Sequence, residues 1–303
     1  MKLSLVQVEY SNTKKFKLKV IHVIIFAFIF CLISIITASK IKKSKQNTLE
    51  TAVLSATDEQ VETELEENIV PEEAIQEPEK AKLPQLTETA KQKINSIYHS
   101  DEKVAYLTFD DGPSATVTPV ILDILNANNI KATFFTLGSQ VKAYPDMVKR
   151  EYEEGHYIAN HGYSHVYKQI YESPQKVLEE YQETESLIQN AIGELEYHSH
   201  LIRFPGGSTG NKYEGTIKEA IALLEQNEIA YVDWNCLTGD SVGNNDKEAL
   251  MQELINTSTG KNSIVILMHD AANKVLTSEM LQDAINYLRG QGYIFKSFYD
   301  IME

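Results

Sequence analysis

Basic residues and cysteine are both scarce in this chain of 303 residues. Acidic residues outnumber lysine and arginine by 43 to 28, which gives a formal net charge of -15. Because a protein that binds nucleic acid needs a basic surface for the phosphates, this balance argues against nucleic acid as a partner. The two cysteines, Cys31 and Cys236, are too few for a disulfide framework or a cysteine-ligated metal. With 43% apolar residues, the chain can still bury a sizeable core.

The N-terminal region combines lysines with one long apolar run. The first 45 residues hold nine lysines and a single acid, Glu9. Within them, residues 20–38 form an almost unbroken apolar run of 19 residues, about the length that spans a bilayer core. We expect a short basic cytoplasmic segment at 1–19 and a transmembrane signal-anchor helix at 20–38. A cleaved secretory signal is the alternative.

The next stretch is acidic and contains few residues that could form a core. Residues 46–79 hold eleven acids and no base, and Pro71, Pro78 and Pro84 interrupt the region. Such a composition cannot bury enough apolar surface to offset the entropy of ordering the chain. We therefore predict that 39–100 is an acidic spacer, largely disordered but with helical pieces, which holds the following domain away from the membrane.

From residue 101 to residue 303, short apolar strands alternate with amphipathic helices. We predict strands at 103–109, 132–137, 157–160, 201–204, 229–236, 263–268 and 294–297, and helices at 118–128, 144–154, 174–191, 215–226, 247–256 and 278–289. This alternation predicts a parallel α/β sheet, either closed as a barrel or open and doubly wound. In both architectures ligands bind at the carboxyl ends of the strands.

Two adjacent carboxylates follow the first of these strands. Asp110 and Asp111 lie at the carboxyl end of this strand, and Gly112-Pro113 prevents the strand from continuing. Two carboxylates this close repel each other when both are ionised, which raises the pKa of one unless a cation lies between them. A metal or an arginine is therefore expected beside the pair.

Other strand ends also carry polar residues. His161 and His165 follow the third strand at a spacing of four, which places both imidazoles on one side of a turn. With a carboxylate they form a set of three ligands that leaves coordination positions open for water and substrate. The later strands supply Arg203 beside a glycine pair, then Asp233, Asp240 and His269.

In order, the segments TFDDG, HxxxH, RFPGG, the Asp240 region and LMHD resemble the polysaccharide deacetylase family, also called the NodB homology domain or carbohydrate esterase family 4. The match covers about residues 103–300. Within the family, the chain is similar to membrane-anchored peptidoglycan N-acetylglucosamine deacetylases. It implies a distorted (β/α) barrel of about seven parallel strands. It also implies a divalent metal, Zn²⁺ ahead of Co²⁺, Ni²⁺ or Mn²⁺, held by Asp111, His161 and His165.

The resemblance further implies roles for the remaining polar residues. Asp110 is expected to be the general base, with Arg203 oriented toward it. His269 is expected to be the general acid, with Asp240 fixing its imidazole. The remaining implied contacts are to substrate: the Gly206 N–H to the oxyanion, and Leu267 to the acetyl methyl group.

The chain departs from the family pattern at two points. Gly162 stands where the family has Ser or Thr, which removes one hydrogen bond that would steady the loop. The family's Asp-x-x-Asp-Trp element keeps only its second aspartate, Asp240, and its tryptophan is replaced by Ser241. Trp234 and Tyr163 are our candidates for the missing aromatic, and we count both as substrate-binding residues.

The expected function is that of a metal-dependent hydrolase that removes N-acetyl groups from a cell-surface polysaccharide, namely N-acetylglucosamine in peptidoglycan. The bond cleaved is a linear amide. We expect a single-pass membrane protein with an extracytoplasmic catalytic domain, which binds an envelope polysaccharide and has no evident protein partner. An O-deacetylase of xylan or another glycan is one alternative. The other is an inactive carbohydrate-binding relic, against which the intact set of base, ligands, arginine and acid weighs.

Overall fold

The computed structural model describes residues 83–243 and 246–302 of the chain. The predicted cytoplasmic segment, the predicted signal-anchor helix and most of the predicted spacer lie outside this range. Within it, none of the helices combines the length and the apolar character needed to cross a bilayer.

The strands of the domain are all parallel to their neighbours. They are β1 (Val104–Asp110), β2 (Thr133–Thr136), β3 (Tyr157–Asn160), β4 (Leu201–Ile202), β5 (Ala230–Tyr231), β6 (Cys236–Leu237), β7 (Ser263–His269) and β8 (Ile294–Lys296). Seven of them form one curled sheet in the order β5-β4-β3-β2-β1-β7-β6, and β8 pairs with the first half of β1. The parallel α/β prediction is therefore confirmed. The sheet is an incomplete barrel, because no ladder joins β5 to β6 within the described residues.

Except for the first helix, which precedes β1, the helices connect the strands and cover the outside of the sheet. They are α1 (Glu88–Asn95), α2 (Thr118–Ala127), α3 (Gly138–Ala143), α4 (Pro145–Glu153), α5 (Tyr167–Ile170), α6 (Pro174–Ile192), α7 (Glu214–Gln226), α8 (Lys247–Ser258) and α9 (Val275–Gly290), followed by a 3-10 turn at Phe298–Asp300. All six predicted helices are present with small shifts of boundary. The helices α3 and α5, of six and four residues, were not predicted because they are too short to show a hydrophobic period.

Strand β1 lies in the middle of the sheet and is buried along its whole length. On its outer face Leu107 and Phe109 join a core cluster that includes Ile121 of α2 and Leu281 of α9. Successive side chains alternate between the two faces of a strand, so the opposite row points to the interior of the curled sheet. Asp110 is the last residue of that row. Its side chain therefore lies at the edge of the sheet where the carboxyl ends of the strands meet.

Helix α1 lies within the segment that we assigned to the spacer. Its first turn is capped by Thr87, whose side chain accepts a hydrogen bond from the Ala90 N–H at 3.1 Å. Ala90, Ile94 and Ile97 are buried in the interior core cluster, and the Ser263 hydroxyl donates to the Ile97 carbonyl. We therefore place the start of the folded unit before α1 and not at residue 101.

The packing of α1 leads to a test of its contribution to stability. We expect Ile94→Ala to lower the free energy of unfolding by about 2 to 5 kcal/mol, the usual cost of a large-to-small change in a core. Gln92→Ala is the control, because Gln92 is exposed on the same helix and its loss leaves no cavity. Urea denaturation of the two variants measures the difference. Equal midpoints would show that α1 does not contribute to the folded unit.

Candidate active site

A buried ion pair joins the end of β1 to the end of β4. Arg203 is fully buried, and its guanidinium donates to Asp110 Oδ1 at 2.8 Å and to Thr108 Oγ1 at 2.7 Å. The same group donates to the backbone carbonyls of Val232 at 3.2 Å and Asp233 at 3.1 Å. Because a buried charge is tolerated only when it is paired and hydrogen-bonded, these contacts hold the guanidinium in one position.

The carboxyl of Asp110 is itself almost fully buried. Burial raises the pKa of Asp110 above its ordinary value, and the neighbouring charges of Arg203 and His269 oppose that rise. The proton affinity of the Asp110 carboxylate is therefore increased by burial, while Arg203 holds the carboxylate in position.

Beside this pair, Asp111, His161 and His165 bring three candidate ligand atoms together. Their ligand atoms all lie within 4.8 Å of one another. Asp111 Oδ1 is 3.5 Å from His161 Nε2 and 3.2 Å from His165 Nε2. Asp111 and His165 both have left-handed backbone conformations, with φ of 74° and 53°, which turn these side chains into the site.

The chemistry of these three residues fits a divalent metal. His161 Nδ1 lies 2.8 Å from the Arg203 carbonyl and must donate to it, so Nε2 keeps its lone pair. Burial lowers the pKa of His161 to about 3, against the charge of Asp111, which keeps the imidazole neutral. Asp111 Oδ1 is buried and has no hydrogen-bond partner in the described part of the chain. One oxygen and two nitrogen ligands form an open site of the kind that catalytic metals occupy.

Helix α6 holds the loop that carries the two histidines. The buried carboxylate of Glu180 accepts hydrogen bonds from the N–H groups of Tyr163 and Ser164 and from the Ser164 hydroxyl, each at 2.9 Å. One turn further along the helix, the Thr184 hydroxyl donates to the Gly162 carbonyl at 3.1 Å. Glu180 and Thr184 were not predicted as site residues, because the sequence does not show which face of α6 meets this loop.

Gly162 lacks the hydroxyl that the family pattern has, but the loop is held in other ways. Its N–H donates to Asn160 Oδ1 at 2.9 Å. Its φ is 76°, and a Cβ added there would lie 2.6 Å from Ile170 Cδ1. In this chain a side chain at position 162 would have to displace Ile170 Cδ1 and adopt a backbone conformation that favours glycine.

The cost of a side chain at this position is testable against a matched glycine. We expect Gly162→Ser to destabilise the fold more than Gly193→Ser, by about 1 to 3 kcal/mol, which is the usual cost of overpacking. Gly193 has nearly the same φ of 77° but no atom within 4 Å of an added Cβ, so it controls for backbone strain. Denaturant midpoints of the two variants decide it, and equal losses would mean that Ile170 moves away freely.

His269 lies next to Asp110 in the sheet, because the two are register partners on β7 and β1. Asp240 holds His269 through two hydrogen bonds. Asp240 Oδ1 bonds to the ring Nδ1 of His269 at 2.8 Å, and Asp240 Oδ2 accepts from the His269 backbone N–H at 2.8 Å. Thr277 donates to the same carboxylate at 2.8 Å. Burial opposes the charged imidazole, but the bond and charge of Asp240 outweigh it and raise the pKa of His269 to about 8. The charged form of the His269 imidazole is therefore favoured near neutral pH.

The two remaining residues from the family resemblance lie at the same edge. Gly206 is exposed, with a φ of 80°, and its N–H has no hydrogen-bond partner among the residues that the structure describes. Leu267 is the register partner of Thr108 and shares a face of β7 with His269. Leu267 therefore lies two residues before His269 on that face.

The two candidate aromatics are placed differently from each other. Tyr163 is half-buried, and a Cβ on Gly138 would lie 2.6 Å from its ring, so the ring packs against α3. Trp234 packs beside Gly207, where an added Cβ would meet its ring at 3.1 Å, and its ring centroid lies 5.8 Å from the Arg203 guanidinium. Trp234 is thus the one of the pair that borders the glycine loop. Ser241 is exposed in the turn after Asp240.

A third aromatic, Tyr167, was not predicted. Its ring centroid is 5.5 Å from that of His165, and its hydroxyl lies over Gly206. A tyrosine two residues after a candidate metal ligand, in a polar and exposed stretch, is the sequence signal that could have identified it.

The curled parallel sheet with this site defines a hydrolase of the metal-dependent deacetylase class. A family profile described as polysaccharide deacetylase matches residues 98–227. A peptidoglycan-N-acetylglucosamine deacetylase of Bacillus cereus is 32% identical over 221 residues, which are 71% of this chain and 76% of the relative. The peptidoglycan-N-acetylmuramic acid deacetylase PdaA of Bacillus subtilis is 30% identical over 70% of this chain and 76% of its own.

Structural similarity agrees with the sequence matches. A carbohydrate esterase family 4 enzyme of Streptococcus mutans superposes with a TM-score of 0.62 at 27% identity, covering 68% of this chain and 90% of that enzyme. The chain belongs to the polysaccharide deacetylase family. Its members are metal-dependent hydrolases, and the chain is a polysaccharide deacetylase.

Proposed function

We propose that this protein removes the N-acetyl group from N-acetylglucosamine residues of peptidoglycan. The observation that carries the proposal is the pairing of a base and an acid: Asp110 and His269 are register partners beside the three-ligand set. Two relatives support peptidoglycan as the polymer, since both are named as peptidoglycan deacetylases. Other acetylated glycans, such as xylan, remain the alternative substrates that the experiment below tests.

The reaction replaces the amide C–N bond by a C–O bond and releases acetate and a free amine. Asp110 takes a proton from the attacking water, and Arg203 holds its carboxylate in place. When bound, the divalent metal supplies a Lewis acid and lowers the pKa of water at the site. The Gly206 N–H donates to the oxygen on which negative charge develops. His269 gives its proton to the leaving nitrogen, and Asp240 stabilises the charged imidazole before that transfer.

We further propose zinc as the metal and the outer face of the membrane as the location. One carboxylate with two imidazoles is a ligand set typical of catalytic zinc sites. Peptidoglycan lies outside the cytoplasmic membrane, which agrees with an anchor formed by the apolar run at 20–38. The single-pass topology and the spacer are part of the same proposal.

The decisive experiment measures acetate released by the full chain from peptidoglycan, from N-acetylglucosamine oligomers and from acetylated xylan. We expect release from the first two and little from xylan, together with free amines on the glucosamine units. Release from xylan alone would replace the proposed substrate with an O-acetylated glycan. No release from any polymer by metal-loaded protein would indicate the inactive binding relic.

The division of labour between the adjacent carboxylates is testable by substitution. We expect Asp111→Ala, His161→Ala and His165→Ala each to lose bound metal on dialysis. We expect Asp110→Asn to keep the metal and to lose turnover by about 10²- to 10⁴-fold, the usual contribution of a general base. Elemental analysis and acetate release measure both properties. Wild-type turnover by Asp110→Asn would rule out Asp110 as the base.

The pH profile tests the acid. A general acid works when protonated, so kcat/KM should fall as the pH rises through the pKa of His269, about 8. Asp240→Asn removes the charge that stabilises the imidazolium, which lowers this pKa and moves the alkaline limb to lower pH by about 1 unit or more. An alkaline limb at the same pH in this variant would show that another group controls it.

A further inference from the structure

Tyr167 lies at the rim of the site, between the loop of the two histidines and the glycine loop after β4. It is the first residue of α5, and its ring centroid is 5.5 Å from that of His165. About a third of the side chain is exposed, at 36%. No catalytic step described above uses this residue, which leaves its position on the site unexplained.

The hydroxyl of Tyr167 covers the backbone of Gly206. A Cβ built on Gly206 would lie 2.6 Å from the Tyr167 hydroxyl oxygen and 3.0 Å from Cζ of the ring. The phenol therefore occupies the space that a side chain at position 206 would fill. It therefore lies next to the residue whose N–H we propose for the oxyanion.

The tyrosines around Tyr167 differ in what their hydroxyls do. The buried Tyr171 donates to the Pro205 carbonyl at 2.7 Å and supports the glycine loop from below. The Tyr167 hydroxyl has no hydrogen-bond partner in the part of the chain that the structure describes. Ring contacts with Tyr171 and Tyr213, at centroid distances of 5.9 and 6.4 Å, support the Tyr167 ring from the side. A supported ring with a free hydroxyl is suited to bind a ligand with both an apolar face and polar groups.

We propose that Tyr167 is a specificity-determining substrate contact, which covers one face of the acetamido-bearing pyranose and hydrogen-bonds to a hydroxyl or carbonyl of that sugar. The proposal rests on the proposed function, because it assumes a glycan at this edge of the sheet. In this proposal Tyr167 is the aromatic beside the sugar in a chain that lacks the tryptophan next to Asp240. Of the two aromatics that the sequence suggested, Tyr163 packs against α3 and Trp234 packs beside Gly207.

The test compares Tyr167→Phe and Tyr167→Ala with the same two changes at Tyr144. Tyr144 is the matched control, because it is a tyrosine of similar exposure, 38%, at the junction of α3 and α4. We expect Tyr167→Ala to lower kcat/KM on an N-acetylglucosamine tetramer by about 10- to 200-fold, mostly through KM. Tyr167→Phe should lose about 2- to 12-fold, the range for one neutral hydrogen bond. The loss should be smaller on 4-nitrophenyl acetate, which carries no sugar.

Two further measurements, of bound metal and of tetramer binding, separate a lost substrate contact from a damaged site. Because His165 is close, bound metal is measured in every variant. If Tyr167→Ala loses the metal, Tyr167→Phe alone decides the proposal. Tetramer binding is measured by calorimetry alongside turnover. If the wild type releases no acetate, the proposed function fails, while weaker tetramer binding by the Tyr167 variants would still support the contact. Values within twofold of the Tyr144 variants for both KM and binding would overturn it.

Discussion

The buried contact between Arg203 and Asp110 is the interaction on which the site depends. The guanidinium bonds to the interior face of β1 and to the carbonyls of the segment after β5, and the Arg203 carbonyl orients His161. One residue therefore fixes both the candidate base and one candidate ligand. A shift of β4 would change both positions together, which explains why a charge is kept in the interior of the sheet despite its cost of desolvation.

The polar contacts around the site extend outward from this pair in two directions. On one side, Glu180 and Thr184 of α6 hold the histidine loop by bonds to its backbone. On the other, Thr277 of α9 holds Asp240, which in turn holds His269. Helices on the outside of the sheet thus fix the groups at its edge. Because side chains anchored in this way lose little further freedom, the geometry is set before substrate arrives.

The sequence predicted the parallel α/β architecture and the six longer helices, since these depend on hydrophobic periods that can be counted along the chain. It predicted helical pieces in the spacer, but it did not predict that α1 belongs to the folded unit, because eight residues in an acidic, proline-containing stretch resemble a spacer until Ile94 is seen to be buried. It also interpreted Gly162 as a lost hydrogen bond. The structure adds what the sequence could not show: Ile170 occupies the space beside this glycine, and the Gly162 N–H donates to Asn160.

The sequence by itself determined which chemical groups are present and that they follow the strands, because strand ends and motif spacing are local properties. The parallel topology that it predicted also places the polar residues of the site at one edge of the sheet. They are Asp110, Asp111, His161, His165, Arg203, Asp240 and His269. Only the tertiary structure decided which side chains support and cover them. Tyr167 over Gly206 and Glu180 beneath Ser164 are contacts between segments separated along the chain, and their partners are set by packing, which no local pattern encodes.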